Sequence, residues 1–279
     1  MERIAYLGPA GTFTEDALRE ATPEGQVFEP VLTETIHEAL EAVAGGRADR
    51  ALAPFENSIE GSIRVVLDAL ALDIDGLSIV GEHDYQVRPQ LIARRELDLD
   101  QIELVISHPQ PLSQCARFLR QSLPGAKLRS AESTALAVRE VSRDDRPWAA
   151  LGAKSAAELY GCVVLQEAPP DAADNVTRFV WIAPEGTDPG QGREWRTSLV
   201  FSELGADHPG ALVDALHEFS NRKVNLNRIE SRPLRQGLGR YMFFIDIEGR
   251  LSDDGVAAAI EGLRGKAEQV KILGSYPVR

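Results

Sequence analysis

Short apolar runs of strand length alternate with amphipathic runs of helix length, with few residues between them, from Ile4 to Ile182. That alternation limits the chain more than any other feature. Strands are expected at 4–7, 50–54, 78–80, 90–93, 104–107, 127–129, 148–151, 163–165 and 179–182, and helices at 36–43, 63–72, 111–123, 133–141 and 154–160. Thr12-Phe13-Thr14-Glu15 has capping-box spacing and predicts a further helix start. Strands and helices taking turns point to parallel α/β layers, and two sets of such units point to two lobes with a cleft. The pattern stops at Ala183-Pro184-Glu185-Gly186-Thr187-Asp188-Pro189-Gly190, a run of turn formers without apolar period. Beyond it the order reads βαββαβ, the ferredoxin-like arrangement. The expected division is therefore residues 1–183, a linker at 184–195, and a small domain at 196–279.

Composition removes several classes. The 279 residues are 43% hydrophobic and 26% charged, ordinary for a globular chain. A net charge of −13 with no basic run argues against nucleic acid and anionic membranes as partners. The N-terminus lacks a signal-peptide layout and no apolar run reaches membrane-spanning length, so a cytoplasmic location is expected. Cys115 and Cys162 lie in separate apolar segments and read as buried thiols, and the five histidines have no ligand spacing. No metal or cofactor is expected.

Polar residues gather where strands give way to helices. They are Gly8-Pro9-Ala10-Gly11-Thr12, Pro54-Phe55-Glu56-Asn57-Ser58-Ile59-Glu60-Gly61, Ser107-His108-Pro109-Gln110 and Glu132-Ser133-Thr134-Ala135. Helix N-termini facing one cleft would hold a carboxylate, yet capping and turn formation explain each segment equally well by itself. Asp174-Asn175-Val176-Thr177-Arg178-Phe179 sets Thr177 and Arg178 between a loop and an apolar strand. A β-propensity threonine with a surface arginine, and a functional pair, fit that segment alike.

Taken in order, these segments resemble a monofunctional prephenate dehydratase. The 54–61 segment is similar to that family's P-x-E-N-S-x-x-G motif, and Thr177-Arg178-Phe179 to its Thr-Arg-Phe. The C-terminal unit resembles an ACT domain, with Pro209-Gly210-Ala211-Leu212 and Glu230-Ser231-Arg232-Pro233 matching the family's phenylalanine-binding segments. Pro111 departs from the pattern and is expected to move the helix start. The resemblance implies a type II periplasmic-binding-protein-like, two-lobed catalytic domain followed by an ACT domain. It implies loss of water and carbon dioxide from prephenate to give phenylpyruvate. Thr177 would donate to the leaving hydroxyl, Arg178 would grip a carboxylate, and Glu56 would order the loop or relay a proton. Thr12, Asn57, Ser58, Ser133, Thr134, Asn175 and Phe179 would line the substrate site. Asp207, Gly210, Ala211, Leu212, Glu230, Ser231, Arg232 and Pro233 would receive phenylalanine in a homodimer or homotetramer. Arogenate dehydratase and a non-catalytic small-molecule binding protein are the rival readings.

Overall fold

The computed structural model describes residues 1–23, 25–172, 174–204, 209–237 and 239–278. It divides into two compact units. Met1–Ala39, Leu52–Ile63 and Asp84–Phe179 form one, and Leu40–Ala51, Arg64–His83 and Val180–Arg279 form the other.

The elements follow the expected alternation. They run β1 (Glu2–Leu7), α1 (Phe13–Ala21), β2 (Phe28–Thr33), α2 (Ile36–Ala44), β3 (Arg50–Asn57), β4 (Gly61–Ser62), α3 (Arg64–Asp68) and β5 (Leu77–Gln86). Next come β6 (Gln90–Ala93), β7 (Leu104–Ser107), α4 (Pro109–Gln114), α5 (Ala116–Ser122), β8 (Lys127–Ser130) and α6 (Thr134–Ser142). Then follow β9 (Trp148–Gly152), α7 (Lys154–Tyr160), β10 (Val163–Glu167) and β11 (Val176–Pro184). One sheet has the order β2-β1-β3-β11-β5, with β4 on β3, and a second has β10-β6-β9-β7-β8. Apolar residues of both faces of the second sheet are buried, Leu91, Val105 and Leu151 under α5 and Ile92, Ile106 and Ala150 under α6 and α7.

Four expectations need correction. The second sheet is mixed, because β6 pairs antiparallel with both β9 and β10. The link from β6 to β7 carries only a 3₁₀ turn at Leu99–Gln101, too little to carry a parallel crossover. The strand β2 was not expected, since Pro30 interrupts its apolar run. It lies at a sheet edge, where a missing N–H is tolerated. The helix expected at 63–72 is a five-residue α3 that continues as a π-helix, Ala69–Asp73. The helix expected at 111–123 is two helices that part at Cys115, and it begins earlier, at Pro109. Pro111 sits in the first turn, whose N–H groups have no helical acceptor, so it does not displace the start.

The C-terminal part has the expected βαββαβ order: β12 (Trp195–Ser202), α8 (Ala211–Ser220), β13 (Leu226–Pro233), β14 (Tyr241–Glu248), α9 (Asp254–Arg264) and β15 (Gln269–Pro277). Its antiparallel sheet has the order β13-β14-β12-β15, and α8 and α9 cover one face through Phe219, Ile260 and Leu263. No helix among the described residues is long and apolar enough to cross a membrane.

Candidate active site

Within the first unit lies a cavity of about 870 Å³, inside the usual range for small-molecule sites. The starts of α1, α4 and α6 all reach it. At α1, Thr12 is the N-cap residue, but its side chain accepts no capping bond. Glu15 reaches one residue further back than a capping box does. Its Oε2 accepts the Gly11 N–H at 2.6 Å while Arg19 Nη2 donates to Oε1 at 2.6 Å. Gly11 needs that freedom, with φ +83 and a hypothetical Cβ only 3.1 Å from Ala156 Cα. The buried Thr12 hydroxyl is left without a hydrogen-bond partner at the cavity wall. At α6, Ser133 Oγ caps the helix by accepting from Leu136 N at 3.1 Å, and Ser133 and Thr134 line the cavity. At α4, His108 Nδ1 accepts from Gln110 N at 3.3 Å.

Strand alternation sorts the residues around β3 and β11. Asn57, Thr177 and Phe179 line the cavity. Glu56 and Arg178 fall on the opposite faces of their strands and do not line it. They meet there instead, Arg178 Nη2 donating to Glu56 Oε2 at 3.1 Å, with the guanidinium 4.9 Å from the centre of the Phe55 ring. Arg178, expected to grip a substrate carboxylate, here forms a cross-strand ion pair with Glu56. Ser58 is likewise diverted: its Oγ donates to Asp174 O at 2.6 Å and accepts from Val176 N at 3.0 Å, which ties the loop and leaves the cavity. Phe179 is buried and also packs edge-on against Tyr85.

Asn57 bonds both Asn175 and Thr177. Asn57 Nδ2 donates to Thr177 Oγ1 at 2.9 Å and to Asn175 Oδ1 at 3.0 Å. Asn175 Nδ2 donates to Gln114 Oε1 at 3.0 Å. Gln114 was not singled out in the sequence. Its helix also carries Gln110 and Ser113, so the sequence offers no signal that marks it, and only its burial in the fold does. Among the described residues, Glu34 and Glu132 line the cavity and no Lys or Arg does. Positive potential there comes from helix ends and neutral donors.

The C-terminal candidates are spread along two elements. Gly210 is the N-cap of α8, with φ +102, and Ala211 and Leu212 open the helix. Asp207 lies outside the described residues. Glu230, Ser231, Arg232 and Pro233 end β13. Arg228 lies 3.7 Å from Glu230. Arg232 is engaged elsewhere, its Nε and Nη2 on the two carboxylate oxygens of Asp68 at 3.1 and 2.5 Å, and Arg235 adds a third contact at 2.7 Å.

A cavity walled by three helix starts among α/β layers, with a ferredoxin-like unit after it in the chain, defines an α/β protein built to hold a small molecule, with an appended βαββαβ domain. Family models sharpen this: that for prephenate dehydratase matches residues 4–187 and that for the ACT domain matches residues 200–265. A prephenate dehydratase of Mycobacterium sp. (strain JLS) is 40% identical over 99% of this chain and 89% of its own length. The prephenate dehydratase of Arthrobacter aurescens, solved in complex with L-Phe, superposes with a TM-score of 0.89 at 37% identity, covering 99% of this chain and 89% of that one. A protein reported as GqqA, a novel type of quorum quenching acylase, gives 0.87 at 30% identity over 99% and 98% of the two chains. This chain belongs to the prephenate dehydratase family, carries an ACT domain, and is an enzyme, a carbon–oxygen lyase.

Proposed function

We propose that the cavity binds prephenate and that Thr177 donates the hydrogen bond under which its hydroxyl departs. Prephenate is a dianion. Its ring carboxylate leaves as carbon dioxide, and the electrons of that C–C bond enter the ring. The C–O bond at the opposite ring carbon breaks, and hydroxide takes up a proton to leave as water. Aromatisation drives the step, so the protein's task is orientation and help for the leaving group. A threonine hydroxyl is a weak acid, so Thr177 stabilises the departing oxygen and passes on a solvent proton rather than ionising. The observation that carries this reading is the bond from Asn57 to Thr177, which occupies the threonine oxygen as an acceptor and leaves its proton for the cavity. The carboxylates lie at the starts of α1 and α6, with Thr12, Ser133 and Thr134 as donors. Asn57 and Asn175 hold Thr177, while Arg178 and Glu56 hold β3 against β11.

L-Phe is the effector in this reading, supported by the complex of the Arthrobacter aurescens relative. It sits against Gly210, Ala211 and Leu212 and the end of β13. The edge strand β13, with its Ile229 and the neighbouring Tyr241 of β14 about half exposed, pairs with a second copy in a homodimer or a homotetramer built from such pairs. The test is to incubate the protein with prephenate or arogenate, with and without L-Phe, and identify the products. Phenylpyruvate from prephenate, at a rate that L-Phe changes, is expected. Arogenate is a needed arm because Glu34 and Glu132 suit an ammonium group. Turnover of arogenate alone, or no response to L-Phe, overturns the corresponding part.

A further inference from the structure

The bonds around Thr177 continue beyond Asn57 and Asn175. Gln114 Nε2 donates to Glu60 Oε1 at 3.1 Å, which extends the line to Glu60–Gln114–Asn175–Asn57–Thr177. The direction of every link is set. A carboxylate only accepts, so Gln114 turns its NH₂ to Glu60 and its oxygen to Asn175. Asn175 must then turn its NH₂ to Gln114 and its oxygen to Asn57. At the other end, the Asn57 oxygen is occupied by the N–H groups of Ile59 and Glu60, both at 3.0 Å, so only its NH₂ can face Thr177. Turning any one amide over would set two NH₂ groups or two oxygens face to face. Asn57, Gln114 and Asn175 are 5%, 8% and 1% exposed, so water does not repair such a mismatch and it is costly. No described residue accepts a hydrogen bond from the Thr177 hydroxyl.

We propose that Gln114 is a positioning residue for the reaction: anchored on Glu60, it fixes the polarity of the amide line and so keeps Thr177 a donor toward the cavity. This rests on Thr177 being the donor in the reading above. It assigns a role to a glutamine from α4 that lines the cavity and to a glutamate in the turn between β3 and β4 that does not.

The test is steady-state kinetics of the full-length protein with prephenate, with circular dichroism and thermal melting of each variant. Gln114→Glu sets two acceptors face to face. It is expected to lower kcat by at least about 10-fold, within the range of coupled neighbours, with little change in KM. Adding Glu60→Gln to it restores a donor–acceptor pair, because the new amide at position 60 donates to the new carboxylate at position 114. That carboxylate still accepts from Asn175, so most of kcat returns. A purely steric effect of Gln114→Glu would not be relieved in this way, and Glu60→Gln alone, which removes the same charge without reversing an amide, is assayed beside it to separate charge from polarity. Wild-type kcat in folded Gln114→Glu, or a double variant as slow as the single one, overturns the relay. Should Gln114→Glu fail to fold, Gln114→Met, which removes both polar ends, must lower kcat for the relay to stand. Thr177→Ala is assayed alongside: if it turns over at the wild-type rate, the donor assignment falls, whereas slow Thr177→Ala with fast Gln114→Glu removes the relay alone.

Discussion

Thr177 and Arg178 are neighbours in sequence that face opposite sides of β11, and only Thr177 lines the cavity. With Thr177 as the proposed transition-state donor, Thr177→Ala is expected to lower kcat by roughly 10²–10³, while Thr177→Ser keeps much of the activity. Stopped-flow or steady-state absorbance of phenylpyruvate reads both. For Arg178 the expectation is reversed. Its guanidinium lies on Glu56 and over Phe55 outside the cavity, and Lys keeps the charge but not the planar fork. Arg178→Lys should therefore lower the melting temperature by a few degrees and leave KM for prephenate nearly unchanged. A large rise in KM without loss of stability would return Arg178 to the substrate. Motif order made both residues visible in the sequence. It did not divide their roles, because period-2 alternation acts only once strand bounds are known, and those begin at Val176 rather than Phe179.

Among the elements, α3 depends most on distant partners. It has five residues, too few to persist on local bonds alone. Its last residue, Asp68, has a side chain only 9% exposed and receives Arg232 and Arg235. Asp68→Asn keeps the shape but leaves two guanidinium groups facing a neutral amide. Stability should fall by about 1–3 kcal/mol, read by urea unfolding of the full chain. An unchanged midpoint would mean that the cluster contributes nothing net, as many ion pairs do. The same scale shows where local patterning misleads. The 63–72 and 111–123 segments each have the apolar spacing of one helix, yet one widens to a π-helix after Asp68 and the other breaks at Cys115. At the second break, the Gln114 carbonyl accepts from Asp171 N at 2.6 Å, a partner far along the chain.

At the scale of the whole molecule, burial sets the alkaline limit. The Cys115 thiol is pushed up to about 12 chiefly by burial, and the Tyr6 hydroxyl is likewise raised to about 12. Both groups are neutral when protonated, so the fold favours the protonated forms. Their contribution is fully present below the unfolded values, 9.0 and 10.0. It is lost as pH rises toward 12. Thermal midpoints should accordingly decline above pH 9, and iodoacetamide should spare Cys115 at pH 8 until the chain unfolds. Alkylation of Cys115 in the native protein would contradict this. The long-range ion pairs also have a consequence for truncation. Removing residues 193–279 would strip Asp68 of Arg232 and Glu82 of Arg196, which meet at 2.5 Å in both cases. The shortened chain is expected to be markedly less stable than the whole, which differential scanning calorimetry would show.

Sequence alone determined the α/β alternation, the turn-rich run after Ala183, the βαββαβ order and the starts of α1 and α6. These are local matters: period, turn chemistry and cap residues act within a few positions of themselves. Tertiary structure decided that Arg178 turns to Glu56, that Arg232 turns to Asp68, and that Gln114 joins Glu60 to Asn175. Each of these depends on which partner lies within hydrogen-bond reach, and in most of them that partner is dozens to more than a hundred residues away in the chain. A guanidinium or an amide can satisfy many acceptors, so its own sequence position does not choose among them. Packing does, by burying one arrangement and making the cost of an unpaired polar group decisive.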